Sequence, residues 1–157
     1  PELAWRLARR EAYDSLSALV QATQRSISEP RAVRPPLAPL EYLQAHSYQL
    51  LAQLSAVKSM LVLRRDRLTP AEIEGPLERT AERIEQSLSA PFNEDALAPM
   101  SDAVPIMPSA GGPISLPDPF ESDVSPWLLR RLDFATRIAL QLREDATRVL
   151  QSTREST

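Results

Sequence analysis

The chain has 157 residues and a net charge of −3, a length that suits one domain with a hydrophobic core. This charge argues against a general nucleic-acid binder, because affinity for phosphates needs a surplus of clustered cations. Cysteine is absent, which excludes disulfides, thiolate chemistry and cysteine-ligated zinc. Glycine is scarce, with three residues, and long alternation of apolar and polar residues is missing. Strands therefore have little support, and we predict an all-α protein.

The first predicted helix covers about residues 2–28, as judged from its helical spacing of apolar residues. Leu16, Val20, Thr23 and Ile27 recur at the spacing that places them in one stripe on a helix surface. Pro30 ends this helix, because proline lacks the backbone N–H that a continuing helix requires.

The second predicted helix covers about residues 40–67. Its stripe keeps helical spacing over its length and consists of Leu40, Leu43, Ser47, Leu50, Leu54, Val57 and Leu61. Leu54 lies midway along this stripe, so we expect Leu54→Ala to be among the most damaging single changes. Arg64, Arg65 and Arg67 are predicted in the last turn, where cations complement the carbonyl end of the helix dipole.

The third and fourth predicted helices each begin with a capping residue followed by proline. Thr69-Pro70 starts the third, and Glu72 has the spacing of a capping box with Thr69. Gly75-Pro76 predicts a kink or a break within it. Ser125-Pro126 starts the fourth helix, whose apolar stripe reaches almost to the C-terminus through Leu128, Leu132, Ala135, Ala139, Leu142, Ala146 and Val149.

A long proline-rich connection, residues 91–124, separates the third and fourth helices. It holds seven prolines and the pair Gly111-Gly112, and a connection of this length is usually functional or disordered. Its apolar residues allow two interpretations: they pack over the helices, or they order on a partner protein. The residues that we expect to contact such a partner are Ile106, Met107, Ile114 and Leu116.

The four stripes predict the architecture of the chain. None of these amphipathic helices is stable alone in water, so we expect them to bury their stripes together. The prediction is an antiparallel bundle of four main helices, with the proline-rich loop outside its core, formed by a monomer or by a dimer that shares the core. Residues 1–157 are predicted to be one helical domain. Since the helical pattern begins at once without an initiator Met, we interpret the chain as a piece of a longer protein.

His46 is the only histidine, and it lies at the border of the second helix's apolar stripe. A packed histidine with a satisfied hydrogen bond is the main interpretation. A phosphotransfer histidine is the alternative in a four-helix bundle, but that site needs a lysine and a glycine shortly after the histidine. Neither stands there, since Ser47, Tyr48, Gln49 and Leu50 follow.

Other chemistry-bearing patterns are missing from the sequence. There is no Glu-x-x-His pair of a di-iron bundle, no Gly-x-Ser-x-Gly turn and no glycine-rich phosphate loop. The carboxylates are all expected at the surface, as in the alternation of Glu78, Glu82 and Glu85 with Arg79 and Arg83. We therefore predict no catalytic residue, no metal, no cofactor and no directly bound small molecule.

The densest cationic stretch is Trp5-Arg6-Leu7-Ala8-Arg9-Arg10. In one interpretation it is a solvated helix face with Trp5 half buried. In the other, Trp5, Arg6, Arg9 and Arg10 form a membrane-proximal or interface surface, because arginines meet anionic lipid and tryptophan suits the membrane interface. The chain itself has no apolar run long enough to cross a membrane.

Residues 2–30 and 40–57 resemble the cytoplasmic part of the fusaric-acid-resistance (FUSC) type of bacterial inner-membrane proteins. The resemblance rests on Arg6, Arg9, Arg10 and Ala12, on the stop Glu29-Pro30, and on His46, Ser47, Leu50 and Leu51 in the next helix. Together these segments cover roughly a third of the chain.

The resemblance implies a parent protein with transmembrane helices and cytoplasmic helical domains that exports aromatic acids or similar compounds. On this basis we expect a non-catalytic accessory domain, used for assembly or gating, at the cytoplasmic side of the inner membrane. Its partners would be the rest of the parent protein and further copies of itself in a homo-oligomer. A free-standing interaction module that binds a partner protein through the proline-rich loop is the alternative.

Overall fold

A computed structural model describes residues 2–29, 37–91 and 122–155. These residues are 91% helical, contain no strand and form four α-helices. The helices are α1 (Glu2–Ile27), α2 (Leu37–Leu63), α3 (Pro70–Ser89) and α4 (Ser125–Glu155), with a short 3-10 helix at Arg65–Arg67. The all-helical prediction is confirmed for this part of the chain. The predicted contact residues Ile106, Met107, Ile114 and Leu116 lie outside it.

Within the described ranges, none of the helices combines the length and the apolar character needed to span a bilayer.

The end of α2 differs from its prediction. The Arg64 N–H donates to the Met60 carbonyl at 2.9 Å, and the chain then tightens into the 3-10 helix Arg65–Arg67. Arg64, Arg65 and Arg67 therefore follow α2, and the expectation that they occupy its last turn is wrong. Apolar periodicity does not mark this end, because Val62 and Leu63 are exposed although they belong to the helix.

The starts of α3 and α4 are joined by hydrogen bonds. The Val124 N–H donates to the Arg67 carbonyl at 2.8 Å, and the Thr69 N–H donates to Ser125 Oγ, also at 2.8 Å. Thr69 is the N-cap of α3, as predicted, but its side chain makes no capping bond to the helix. Its hydroxyl lies 3.5 Å from an Asp123 carboxylate oxygen instead. The predicted capping box between Thr69 and Glu72 is therefore wrong.

The start of α4 is fixed by Asp123 and Val124. The Leu128 N–H donates to the Val124 carbonyl at 3.2 Å, and Ser125 is already helical. The Ser125 N–H donates to Asp123 Oδ1 at 2.9 Å. The Ser125 hydroxyl, then this N–H and the Thr69 hydroxyl hold the pKa of Asp123 below its ordinary value, and burial opposes them only in part. Ser125 thus links two helices, where the sequence predicted a simple N-cap.

Helix α3 runs without interruption through Gly75-Pro76, so of the predicted kink or break the break is wrong, and the kink stays a prediction. A residue before proline is normally driven out of helical geometry by a clash between its Cβ and the proline ring. Glycine has no Cβ and avoids this clash. The helix therefore loses one backbone hydrogen bond at Pro76 and continues for more than two turns beyond it.

The chain divides into two compact units. Unit 1 comprises Pro1–Ala52 and Leu140–Thr157, and unit 2 comprises Gln53–Ala139. Residues of α2 and α4 belong to both units, whereas α1 belongs to unit 1 and α3 to unit 2.

Unit 2 has an apolar core. Val57, Ile73, Leu128 and Leu132 are buried together there, and partly buried apolar side chains surround them, namely Met60, Leu61, Leu68, Leu77 and Leu129. Leu54 is only half-buried and is not one of the buried side chains. The stripe of α2 was therefore predicted correctly at Val57, but the residue at its midpoint is not the centre of a core.

Unit 1 has a mixed interior. Among its described residues, six side chains are buried: Leu16, Leu40, Leu50, Thr23, His46 and Asp145. Half of these are polar or charged. The interior of unit 1 consequently depends on hydrogen bonds to an extent that the core of unit 2 does not.

Candidate functional site

The most unusual group of side chains in the described residues is a buried histidine–aspartate pair in unit 1. His46 of α2 is 3% exposed and Asp145 of α4 is 1% exposed. His46 Nδ1 hydrogen-bonds Asp145 Oδ2, and 99 residues separate the two in sequence. The expectation that His46 is packed and satisfied is confirmed, since its ring is buried and Nδ1 has a carboxylate partner.

Further side chains surround this pair. Gln141 donates from Nε2 to Asp145 Oδ1 at 3.2 Å, one helical turn earlier on α4. Arg148 Nη1 lies 3.9 Å from the same oxygen, one turn later. The Tyr42 ring is stacked near the His46 ring, with centroids 6.3 Å apart. Each carboxylate oxygen of Asp145 thus has a partner, which is the condition under which a buried carboxylate is tolerated.

Asp145 was missed by sequence reasoning, and the expectation that all carboxylates lie at the surface is wrong for this residue. The predicted stripe of α4 consists of apolar residues, and Asp145 lies directly before one of its members, Ala146. A usable signal did exist. Asp145 follows Ile138 by seven residues, two helical turns, and Ile138 is itself completely buried. The continuation of the buried face therefore passes through a carboxylate.

The arrangement holds the imidazole in one orientation. The bond to Asp145 engages Nδ1 and leaves Nε2 as the second polar atom of the ring. A general base must approach within about 3 Å of the proton that it removes. Since His46 and Asp145 are both almost completely buried, the pair is inaccessible to a substrate in this conformation.

No group of three or more potential metal-ligating His, Cys, Asp or Glu side chains occurs in residues 2–29, 37–91 and 122–155.

The second candidate site is the cationic segment of α1. Arg6, Arg9 and Arg10 are exposed, and Trp5 is half-buried. All three arginines have partners on their own helix. Arg6 Nε lies 3.5 Å from Glu2, Arg10 Nε lies 3.7 Å from Asp14, and the Arg9 guanidinium stands 5.5 Å from the centre of the Tyr13 ring.

These partners reduce the charge that the segment presents, but exposed pairs of this kind are weak and exchange readily with other partners. Two apolar side chains accompany the arginines, since Leu3 is 71% exposed and Leu7 is 53% exposed. The segment therefore presents leucine and arginine side chains together to its surroundings.

No protein-family model, no curated protein and no solved structure matches the chain. The resemblance to the FUSC-type proteins stays a prediction.

Proposed function

We propose that this chain is a non-catalytic helical accessory domain of a bacterial inner-membrane efflux-type transporter, at the cytoplasmic side of the membrane. Its role is assembly or gating. The observation that carries the proposal is the resemblance in the first two helices, and the motif residues on which it rests, from Arg6 to Leu51, all belong to unit 1. In that unit, the arginines of the pattern are exposed, while His46 and Leu50 are buried. Such a division suits an outer surface for partners and an interior that holds the helices together.

The helix arrangement within each unit belongs to this proposal. In unit 1, Gln44 of α2 donates to Thr23 of α1 at 2.8 Å, and His46 bonds Asp145 of α4. In unit 2, Arg131 of α4 donates to Gln53 of α2 at 3.1 Å, and Ile73 of α3 joins the core of Val57 and Leu128. These contacts support antiparallel, bundle-like packing of the helices inside each unit.

The interface surface in this proposal is the start of α1. Its exposed leucines, Leu3 and Leu7, and its arginines face either the rest of the parent protein or a second copy of the domain. Burial of two leucine side chains favours association by about 1.5–3 kcal/mol each before the costs of association are subtracted. Such a surface supports contact between subunits that the membrane part already holds close together.

Self-association can be tested on the chain itself. In sedimentation velocity over a range of concentrations, the unaltered chain should contain dimers or larger species. The double variant Leu3→Asp/Leu7→Asp should be monomeric at the same concentrations. Leu63→Asp is the matched control, because Leu63 is 72% exposed and lies in unit 2. Equal association of all three proteins would contradict the assignment of the interface to α1.

The transport role is tested in the bacterium from which the chain comes. Residues 1–157 are removed in frame from the encoding gene, and the remaining protein carries an epitope tag for membrane fractionation. Export of aromatic acids, measured as efflux or as resistance, should be lost while the tagged remainder stays in the membrane fraction. Undiminished export by the truncated protein would refute the assignment, as would a full gene product without membrane spans.

A further inference from the structure

We propose that the hydrogen bond between His46 and Asp145 keeps unit 1 closed. When this bond breaks, unit 1 opens locally while unit 2 remains folded. The first step of the argument is the contrast between the two interiors. Of the buried side chains described in unit 2, only Ser125 is polar, whereas half of those described in unit 1 are polar or charged. Stability varies within proteins, and a region with few buried apolar contacts opens at a lower free-energy cost.

The second step is the way in which α4 is held within unit 1. Among residues 140–154, Asp145 alone is buried, and Leu140 and Leu150 are among the exposed apolar side chains. No fully buried apolar side chain of this part of α4 anchors it to α2. The bond from Asp145 to His46 is therefore a buried polar connection between the two helices in this unit.

The third step concerns α1, which is also held to α2 by a polar contact. Thr23 is buried, accepts the hydrogen bond from Gln44 and donates its own hydroxyl to the Leu19 carbonyl at 2.8 Å. Gln44 and His46 are two residues apart on α2. Polar contacts two residues apart on one helix thus connect it to α1 and to α4.

The energetics of a buried hydrogen-bonded pair give this connection two distinct states. With both partners present, the cost of removing the two polar groups from water is offset by the bond between them and by the hydrogen bond from Gln141. With one partner lost, a buried group remains uncompensated, and hydration of that group favours separation of the helices. The intermediate situation, a buried but broken pair, is unfavourable, so the contact opens or closes as a unit.

The test is native-state hydrogen exchange of the whole chain, resolved by NMR or by mass spectrometry, at several low denaturant concentrations. In the unaltered protein, the amides of α1 and of residues 141–153 should share one opening of lower free energy. The amides around Val57, Ile73, Leu128 and Leu132 should exchange only through a more costly opening. One common opening for both sets would overturn the proposal without any variant.

The variant is Asp145→Asn, which replaces the carboxylate by an amide and keeps the size of the side chain. It should accelerate exchange of the unit 1 amides by about tenfold or more, the effect of depriving a buried hydrogen-bonding group of its matched partner. Exchange in the unit 2 core should still require a more costly opening than exchange in unit 1, because unit 1 opens while unit 2 remains folded.

Asp133→Asn is the matched control, since it makes the same chemical change on the same helix at an exposed ion pair with Arg137. This control should leave exchange in both units almost unchanged. The proposal is overturned if Asp145→Asn unfolds the whole chain, or if the amides of both units exchange through one common opening in this variant. It is also overturned if this variant affects exchange no more than Asp133→Asn does.

Discussion

At the scale of single residues, Leu128 is a central part of the interior of unit 2, where it is completely buried within the cluster of Val57, Ile73 and Leu132. We expect Leu128→Ala to destabilise the chain by about 2–5 kcal/mol, because truncation removes apolar contacts and leaves a cavity. Leu54→Ala should cost clearly less, since Leu54 is half-buried. Urea unfolding of the two variants measures the difference. Equal losses of stability would show that Leu54 is more deeply packed than its exposure indicates.

Asp123 makes the chain sensitive to acid. Since the pKa of its carboxyl is held below the ordinary value of 3.8 by Ser125 and Thr69, the ionised carboxylate stabilises the fold. This contribution is complete above pH 3.8 and is lost as the pH falls through the lower folded-state pKa. Asp123→Asn should therefore be less stable than the unaltered chain at neutral pH.

The difference in urea midpoint between the Asp123→Asn variant and the unaltered chain should shrink as the pH falls below 3.8. A difference that stays constant with pH would show that the charge of Asp123 does not contribute.

At the scale of helices, the start of α3 depends on a residue of α4. Ser125 is completely buried and accepts the Thr69 N–H. Ser125→Ala should destabilise the chain by about 1–3 kcal/mol, because it leaves a partly buried backbone donor without its partner. Glu72→Ala should change stability by less than about 0.5 kcal/mol, since Glu72 is exposed. Thermal unfolding of the two variants measures the difference. A larger loss of stability in Glu72→Ala than in Ser125→Ala would support the capping box between Thr69 and Glu72.

Pro76 is a second point at which α3 can be tested. Proline inside a helix removes one backbone hydrogen bond and crowds the preceding turn. Replacement by alanine restores the donor, so Pro76→Ala should stabilise the chain by about 1–3 kcal/mol. The measurement is the urea midpoint. A loss of stability would instead show that the ring of Pro76, which is half-buried, contributes packing that alanine cannot replace.

The positions of the helices were largely predictable, and the polar contacts between them were not. Apolar residues at helical spacing mark α1 and α4, and prolines mark the starts of α3 and α4. The end of α2 was misjudged because Val62 and Leu63 continue the apolar pattern without being buried. The burial of Asp145 was not predicted, because a carboxylate is expected at the surface unless a buried partner for it is known. That partner, His46, is distant in sequence, and periodicity within one helix carries no information about it.

At the scale of the whole molecule, the two tryptophans report on different units. Trp5 belongs to unit 1 and Trp127 to unit 2. In Trp127→Phe the remaining fluorescence comes from Trp5, and in Trp5→Phe it comes from Trp127. We expect the Trp5 signal to change at a lower urea concentration, because unit 1 has fewer buried apolar side chains. Coincident transitions would show one cooperative unit and would support the single domain predicted for residues 1–157, which stays a prediction.

The mixed interior of unit 1 also determines how its stability responds to temperature. Exposure of apolar surface raises the heat capacity on unfolding, whereas exposure of polar surface lowers it. The burial of Thr23, His46 and Asp145 therefore gives unit 1 a smaller heat-capacity change per residue than unit 2 and a flatter curve of stability against temperature. Cooling weakens apolar association, so unit 2 loses more of its advantage in the cold. We therefore expect the difference in stability between unit 2 and unit 1 to become smaller as the temperature falls.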